Sequence, residues 1–195
     1  MNVSRETEEA LRTYAALLLK WNKRINLIGR TTEADLYTRH IEDSAQLAQH
    51  LDIKPNIYAD LGSGAGLPGI VLAILTKAPT HLIESDQRKA AFLRHAAQTL
   101  SLPITIHAKR IEDVAPLKAD LITARALAPL TNLLTLAAPH ATPDTTFLFP
   151  KGRTAQHELA EARAFWTFHL DQHPSTTDPQ GTLLKIRDLK RVETG

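Results

Sequence analysis

The stretch ADLGSGAGLPGIVLAI, residues 59–74, contains four glycines within eight residues, at positions 62, 64, 66 and 69, between two apolar runs. The residues before the glycines predict a short strand over 57–61, and those after them predict a helix over 69–76. Glycines at such a turn permit tight backbone geometry and let a ligand approach backbone N–H groups closely. The order strand, glycine-rich turn, helix therefore predicts a mononucleotide-binding site beyond the carboxyl end of a strand.

An acidic residue, Glu84, stands at the end of the next predicted strand, at about the 20-residue spacing of a ribose-binding acid. Its two carboxylate oxygens are able to accept hydrogen bonds from both ribose hydroxyls. The alternative is a solvated acid at the start of the following helix, together with Ser85 and Asp86. The strand–turn–helix context favours ribose binding, and we expect a ligand that contains a nucleoside.

The glycine spacing bears on the identity of that ligand. The dinucleotide fingerprint G-x-G-x-x-G requires glycine at position 67, where this chain has Leu67. No G-K-[ST] follows, which excludes a P-loop. S-adenosylmethionine has a ribose and an adenine but no phosphate, and it tolerates this departure. A nicotinamide-dependent oxidoreductase is the alternative enzyme, but an obvious proton donor such as a Tyr-x-x-x-Lys pair is missing.

Strands and helices alternate through most of the chain, which predicts an α/β fold with a mainly parallel sheet. We treat residues 1–195 as a single domain, with a helical cap over 1–55 and an α/β core over 56–195. The predicted strands are 57–61, 81–84, 104–108, 119–123, 146–150, 167–173 and 182–187. The predicted helices are 5–22, 32–51 with a break near 39–40, 69–76, 86–100, 130–138 and 154–166.

Composition excludes several classes of function. The chain has no cysteine, so disulfides, thiolate metal sites and cysteine nucleophiles are excluded. No stretch approaches the roughly 18–20 apolar residues of a membrane span, and the first residues, MNVSRETEEALRTY, do not resemble a signal peptide. We therefore expect a cytoplasmic protein with no membrane and no metal. The net charge of +2 permits a polyanionic partner without requiring one.

Further motifs along the chain carry a family resemblance. They are KWNKRINLIG (20–29), RHIEDS (39–44), DLGSGAGLPGIVLAI (60–74), LIESDQRKAAFLR (82–94), RIEDV (110–114), ITARALAPL (122–130) and PKG (150–152). In this order they resemble the bacterial methyltransferases that modify guanine N7 of small-subunit (16S) ribosomal RNA, the glucose-inhibited division protein B family. Departures are mild: Glu84 stands where many members have Asp, and Ala65 where some have Pro.

The resemblance implies a class I S-adenosylmethionine-dependent methyltransferase fold. This is a Rossmann-like, mainly parallel sheet of seven strands with the last strand antiparallel, preceded here by an N-terminal helical cap. The implied cofactor-binding residues are Gly62, Gly64, Leu67, Glu84, Ser85, Ile111, Glu112 and Arg125. Asp60 is expected to act through solvent on the methionine ammonium.

Guanine N7 carries an unprotonated lone pair at neutral pH, so methyl transfer to it needs positioning and no general base. We therefore name no catalytic residue. Methylation at carbon 5 of a pyrimidine needs a cysteine nucleophile, and this chain has no cysteine. Methylation of an exocyclic amine typically uses an Asn/Asp-Pro-Pro-aromatic element, which the segment TARALAPL (123–130) lacks.

The implied partner is 16S ribosomal RNA or the small ribosomal subunit, and we expect a monomer. The expected RNA-binding residues are Arg39, His40, Arg125 and Lys151. Arg39, His40 and Lys151 are chosen because they lie within the matching motifs. Arg125 has an alternative role as a structural residue paired with an acid such as Asp120. A non-catalytic RNA-binding or ribosome-assembly factor on the same fold is the alternative to an enzyme.

Overall fold

A seven-stranded sheet forms the centre of the computed structural model, which describes residues 3–193. The strands are β1 (Tyr58–Leu61), β2 (Thr80–Ile83), β3 (Ile104–His107), β4 (Ala119–Thr123), β5 (Ala141–Lys151), β6 (Trp166–Pro174) and β7 (Thr182–Arg191). Their order across the sheet is β3-β2-β1-β4-β5-β7-β6. The pairs from β3 to β5 are parallel, whereas β7 is antiparallel to both β5 and β6.

The predicted fold class is confirmed, including the antiparallel last strand. A doubly wound dinucleotide-binding sheet has the order 3-2-1-4-5-6, without an antiparallel strand between the fifth and sixth. Here β7 lies in that position. Because β1, β2, β3 and β4 are parallel, their carboxyl ends meet at one edge of the sheet, where ligands bind in open α/β folds.

Helices cover both faces of the sheet. They are α1 (Arg5–Asn22), α2 (Asp43–Ala45), α3 (Gly69–Thr76), α4 (Gln87–Thr99), α5 (Leu130–Ala137) and α6 (Ala155–Ala162). One core cluster joins α5 and α6 to the sheet through Leu133 and Leu159. The other joins α1, α3 and α4 through Tyr14, Ile70 and Phe92.

The N-terminal segment differs from the prediction in its second half. Helix α1 has the predicted bounds, but the helix expected over 32–51 is only partly confirmed: helical turns cover 37–50, and they are not one regular α-helix. The chain instead forms a π-helical turn (Tyr37–Glu42) that continues into α2 and then a 3₁₀ segment (Gln46–His50), with no break near 39–40. The Asn22 side chain accepts hydrogen bonds from two backbone N–H groups, of residues 27 and 28, at 2.7 and 2.9 Å, which folds the chain back after α1. Periodicity cannot show a turn held by one side chain.

The C-terminal part shows a second boundary error. The helix predicted over 154–166 ends at Ala162, and Trp166 begins β6. Trp166 is buried against the α5–α6 face of the sheet, and the Arg191 guanidinium lies 5.6 Å from its ring centroid. This tertiary contact overrides the local helical preference. Within residues 3–193, no helix has the length and apolar character needed to cross a membrane.

Candidate active site at the carboxyl end of the sheet

The glycine-rich turn follows β1 and leads into α3, as its sequence predicts. Gly66 has a φ of +86°, and a Cβ there would lie 2.6 Å from Cδ1 of Ile70, so only glycine fits. Gly64 also has positive φ, at +56°, but a Cβ there would meet nothing closer than 3.8 Å. The turn is therefore packed on its inner side at Gly66 and open at Gly64.

Glu84 holds the turn from the end of β2. Its Oε2 accepts a hydrogen bond from the Gly64 N–H at 2.8 Å, and its Oε1 accepts one from the Asp86 N–H at 2.8 Å. The residue is 8% exposed. An ionised carboxylate has about four lone-pair sites, so two remain for a ligand. Asp86 caps α4 by accepting from two backbone N–H groups, as expected for an N-cap.

A cavity of about 450 Å³, here called the loop cavity, opens beside the turn. It is lined by Gly62, Gly64, Ile83, Glu84, Ser85, Lys89, Lys109, Arg110, Ile111, Glu112, Arg125, Ala126, Leu127 and Leu136. All of the expected cofactor-binding residues except Leu67 are brought together here. The lining also includes three cations, Lys89, Lys109 and Arg110, that were not expected to bind cofactor.

Leu67 lies elsewhere. It is 4% exposed and packs into the core formed with α1, α3 and α4. Its backbone N–H donates to the Ser63 carbonyl at 3.3 Å. The structure therefore gives Leu67 a packing role under the turn and no place in the lining of the loop cavity.

Asp60 also departs from expectation. It is fully buried, so it does not act through bulk solvent. Its Oδ1 accepts from the Thr123 hydroxyl at 2.6 Å, and its Oδ2 points towards Gly69 at the start of α3. Burial raises the pKa of Asp60 to about 6, partly offset by the bond from Thr123. The carboxyl group thus ties β1 to β4 beneath the turn.

A second cavity, of about 470 Å³ and here called the hairpin cavity, lies next to the loop cavity. Its lining comes from the cap, the β4–α5 connection, the end of β5, helix α6, the β6–β7 connection and the start of β7. The residues are Asp43, Gln46, Leu47, Arg125, Ala126, Leu127, Ala128, Pro129, Pro150, Lys151, Gly152, Glu158, Ser175, Asp178, Gly181, Thr182 and Leu183. Residues 125–127, here called the dividing segment, line both cavities. Ala126 within it has a φ of +53°, in the left-handed region that few residues other than glycine adopt.

Arg125 is held on the dividing segment by the cap. Its Nη1 donates to Oδ2 of Asp43 at 3.1 Å, and its Nη2 donates to Nδ1 of His40 at 3.3 Å. The alternative partner Asp120 is not used, because its carboxylate accepts from the backbone N–H groups of residues 56 and 57. Arg125 therefore lies at the expected position with a partner that spacing did not indicate.

The other expected RNA-binding residues have different surroundings. His40 is half-buried and both its ring nitrogens have partners. Lys151 lines the hairpin cavity, and its ammonium donates to the Ala128 carbonyl and to Glu158, both at 2.8 Å. Arg39 is exposed. The structure thus brings Arg125 and Lys151 to the cavities, places His40 against Arg125 outside both linings, and leaves Arg39 on the surface.

Two polar contacts near the site were missed in the sequence. The Tyr14 hydroxyl donates to the Ala65 carbonyl at 2.6 Å, so α1 touches the glycine-rich turn directly. The Thr177 hydroxyl, in the β6–β7 connection, donates to Oδ1 of Asp43 at 2.6 Å. Asp43 lies within the RHIEDS motif, which was the one available signal. Among residues 3–193, no group of three or more His, Asp or Glu side chains is placed to hold a metal ion.

Comparison with known proteins gives a consistent result. The family model described as GidB, rRNA small subunit methyltransferase G, matches residues 7–183. A ribosomal RNA small subunit methyltransferase G from Cereibacter sphaeroides is 53% identical over 197 residues, covering 98% of this chain and 95% of that protein. One from Gluconobacter oxydans is 53% identical over 190 residues, covering 97% of this chain and 98% of that protein. The crystal structure of M. jannaschii TYW2 in complex with AdoMet has a similar fold, with a TM-score of 0.59, 13% identity and coverage of 78% of this chain and 76% of that one.

Proposed function

Because this chain belongs to the rRNA small subunit methyltransferase G family, we propose that it transfers a methyl group from S-adenosylmethionine to N7 of a guanine in 16S ribosomal RNA. The observation that carries the proposal is the pair of adjacent cavities that share the dividing segment, residues 125–127. One cavity takes the cofactor and the other takes the target base, so that the two reactants meet at Arg125.

The residues of the loop cavity fit S-adenosylmethionine. A volume of about 450 Å³ lies within the ~300–1,000 Å³ range of small-molecule sites. Glu84 keeps lone pairs for the ribose hydroxyls, and Gly64 leaves the turn open for close approach. The exposed Glu112 carboxylate stands where it can accept from the adenine amine, and buried Ile111 supplies an apolar surface.

Methyl transfer to guanine N7 requires that the two reactants be positioned correctly. When bound, the cofactor supplies a methyl group activated by a sulfonium. The protein holds the acceptor in line with that methyl group. Arg125 is fixed at the edge of the dividing segment by Asp43 and His40, where its remaining N–H groups can contact a base edge or a phosphate. Since N7 carries no proton, no general base is needed and none is assigned.

On the RNA side, we propose that Arg39, Arg125 and Lys151 line the path of the RNA. Arg39 is exposed and free to reach phosphates, whereas the Lys151 ammonium already has two acceptors, so its role is to shape the hairpin cavity. The partner is 16S rRNA or the small subunit, and we propose that the chain acts as a monomer in the cytoplasm without a metal.

The test is methylation mapping in a strain that lacks the gene. Small-subunit RNA from the deletion strain is compared by mass spectrometry with RNA from strains complemented by the wild-type chain or by Glu84→Gln. We expect one N7-methylguanine to disappear on deletion, to return with the wild-type chain, and to return weakly or not at all with the variant. An unchanged pattern of methylated guanines on deletion would contradict the enzymatic assignment and favour the assembly-factor alternative.

Calorimetry separates the two candidate cofactors. The purified protein is titrated with S-adenosylmethionine and, separately, with NAD. We expect binding of the first only, because the sheet order with β7 between β5 and β6 differs from the dinucleotide-binding order. Binding of NAD without binding of S-adenosylmethionine would favour the oxidoreductase alternative.

A further inference from the structure

His40 sits in a chain of hydrogen bonds whose direction can be worked out from the donors alone. A guanidinium has no acceptor, so Nη2 of Arg125 donates and Nδ1 of His40 accepts, at 3.3 Å. A neutral imidazole with an accepting Nδ1 carries its proton on Nε2, which donates to the Thr32 hydroxyl oxygen at 2.8 Å. That hydroxyl in turn donates to the Gly29 carbonyl at 2.8 Å. Every group in the chain has a compatible role.

The surroundings favour the neutral imidazole that this chain requires. Burial and the nearby Arg125 guanidinium lower the pKa of His40 to about 4, with Asp43 acting in the opposite direction. His40 is therefore uncharged at neutral pH. An uncharged ring with both nitrogens engaged has no free charge to offer a phosphate.

Arg125 is bound on its other side by Asp43, which completes its positioning. The Asp43 carboxylate also accepts from Thr177 at 2.6 Å and from the Gln46 amide at 2.9 Å. The Arg125 side chain is 21% exposed, so little of it is open to solvent. The cap thus sets the orientation of the one cation on the dividing segment.

We propose that His40 is a positioning residue for methyl transfer, which holds the Arg125 guanidinium on the dividing segment through a neutral, Nε2-protonated ring, and that it does not contact RNA phosphate. The kinetic part of this proposal rests on the proposed function. The hydrogen-bond assignment does not, because it concerns the protein without cofactor or RNA. It also revises the expectation from sequence that His40 binds RNA directly.

The kinetic test compares His40→Ala, His40→Asn and Thr32→Val with the wild-type chain, using RNA from the deletion strain. An asparagine oxygen can replace Nδ1 as acceptor, so His40→Asn serves as the matched control. We expect His40→Ala to lower the single-turnover rate at saturating RNA about tenfold or more, because one hydrogen bond to a charged group is lost. His40→Asn should retain the rate within about threefold. Thr32→Val leaves Nε2–H of His40 without its acceptor, so it should lower the rate, but less than His40→Ala does. The dissociation constants for S-adenosylmethionine and RNA should change less than the single-turnover rate does.

RNA affinity measured against salt decides between the two roles of His40. A decrease in RNA affinity and in its salt slope for His40→Ala, with an unchanged rate at saturating RNA, would overturn the proposal in favour of direct RNA binding. Equal loss of rate in His40→Ala and His40→Asn would also contradict the proposal, because restoring an acceptor for Arg125 would then not restore the rate.

The ring tautomer is measured separately by ¹⁵N NMR of the imidazole nitrogens in the free protein at neutral pH. We expect an unprotonated Nδ1 and a protonated Nε2 for His40, and the opposite tautomer or a charged ring refutes the assignment. A wild-type chain without methyltransferase activity would contradict the proposed function, while this measurement alone still decides the hydrogen-bond assignment.

Discussion

Replacing Glu84 by Gln tests both roles that the structure gives to this carboxylate. Its two oxygens accept from two backbone N–H groups, of Gly64 and Asp86, each at 2.8 Å. A glutamine amide has one oxygen and one NH₂ group, so it can satisfy only one of these donors. The NH₂ group then faces the other N–H, which is left without an acceptor at a residue that is 8% exposed.

The expected loss of stability follows from the one backbone donor that is left without an acceptor. A nearly buried donor left without a partner costs about 1–3 kcal/mol, and the remaining bond loses its ionic character. We expect the free energy of unfolding to fall by about 2 kcal/mol, which corresponds to a Tm about 4–8 °C lower for a protein of this size. If Glu84 also holds the ribose, the dissociation constant for S-adenosylmethionine should rise by about 10- to 100-fold.

The assays are thermal unfolding without cofactor and calorimetric titration with S-adenosylmethionine. Glu161→Gln is the matched control, since it removes the same charge from an exposed site on α6 that lines neither cavity. The control should match the wild type in both assays. A Glu84→Gln protein with a lowered Tm but a cofactor affinity within about twofold of wild type refutes the ribose contact. An unchanged Tm refutes the anchoring of the turn.

Three further predictions concern the scaffold of the site. Gly69→Ala should lower the free energy of unfolding in urea by about 2 kcal/mol or more, because its Cβ would lie 2.7 Å from Oδ2 of Asp60. Gly152→Ala is the control: its Cβ would meet nothing within 4 Å, so the free energy of unfolding should change by less than about 0.5 kcal/mol. Equal effects of the two substitutions would refute the steric argument. Tyr14→Phe should cost about 1–2 kcal/mol of stability and weaken cofactor binding, because the buried hydroxyl bond to the Ala65 carbonyl is lost; unchanged urea unfolding would contradict this. Because burial raises the pKa of Asp60 to about 6, its folded form prefers the proton, so its contribution to stability is full below about pH 4 and is lost as the pH rises to about 6. The stability of the wild type minus that of Asp60→Asn should therefore fall by about 3 kcal/mol over this range, and a flat or rising difference is the opposing result.

The sequence was most informative where local chemistry and local structure coincide. The run of positions 59–74 predicted a strand, a tight turn and a helix because glycine, apolar and polar residues each restrict the backbone in their own way. Glu84 could be placed near this turn because parallel strands end at a common edge. The family resemblance implied Ser85, Ile111 and Arg125 as further cofactor-binding residues, and the structure has all three in the lining of the loop cavity.

Prediction failed where a side chain finds its partner far along the chain. Asn22 turns the chain after α1, and Trp166 ends a helix by entering the core, and neither effect has a periodic signal. Leu67 lies in the glycine-rich turn, but packing under that turn directs its side chain away from the cavity. Asp60 was expected near solvent because it ends a strand, yet layers of helix cover it.

The sequence by itself determined the fold class, the glycine-rich turn and the type of cofactor, because these depend on residues close together in the chain or on the regular geometry of parallel strands. Only the tertiary structure decided which acid holds Arg125 and which groups the His40 ring contacts. The partner of Arg125 is Asp43, which lies in the N-terminal segment far from β4 in sequence. The charge of His40 depends on its burial and on that same guanidinium, and both exist only once the cap has packed against the sheet.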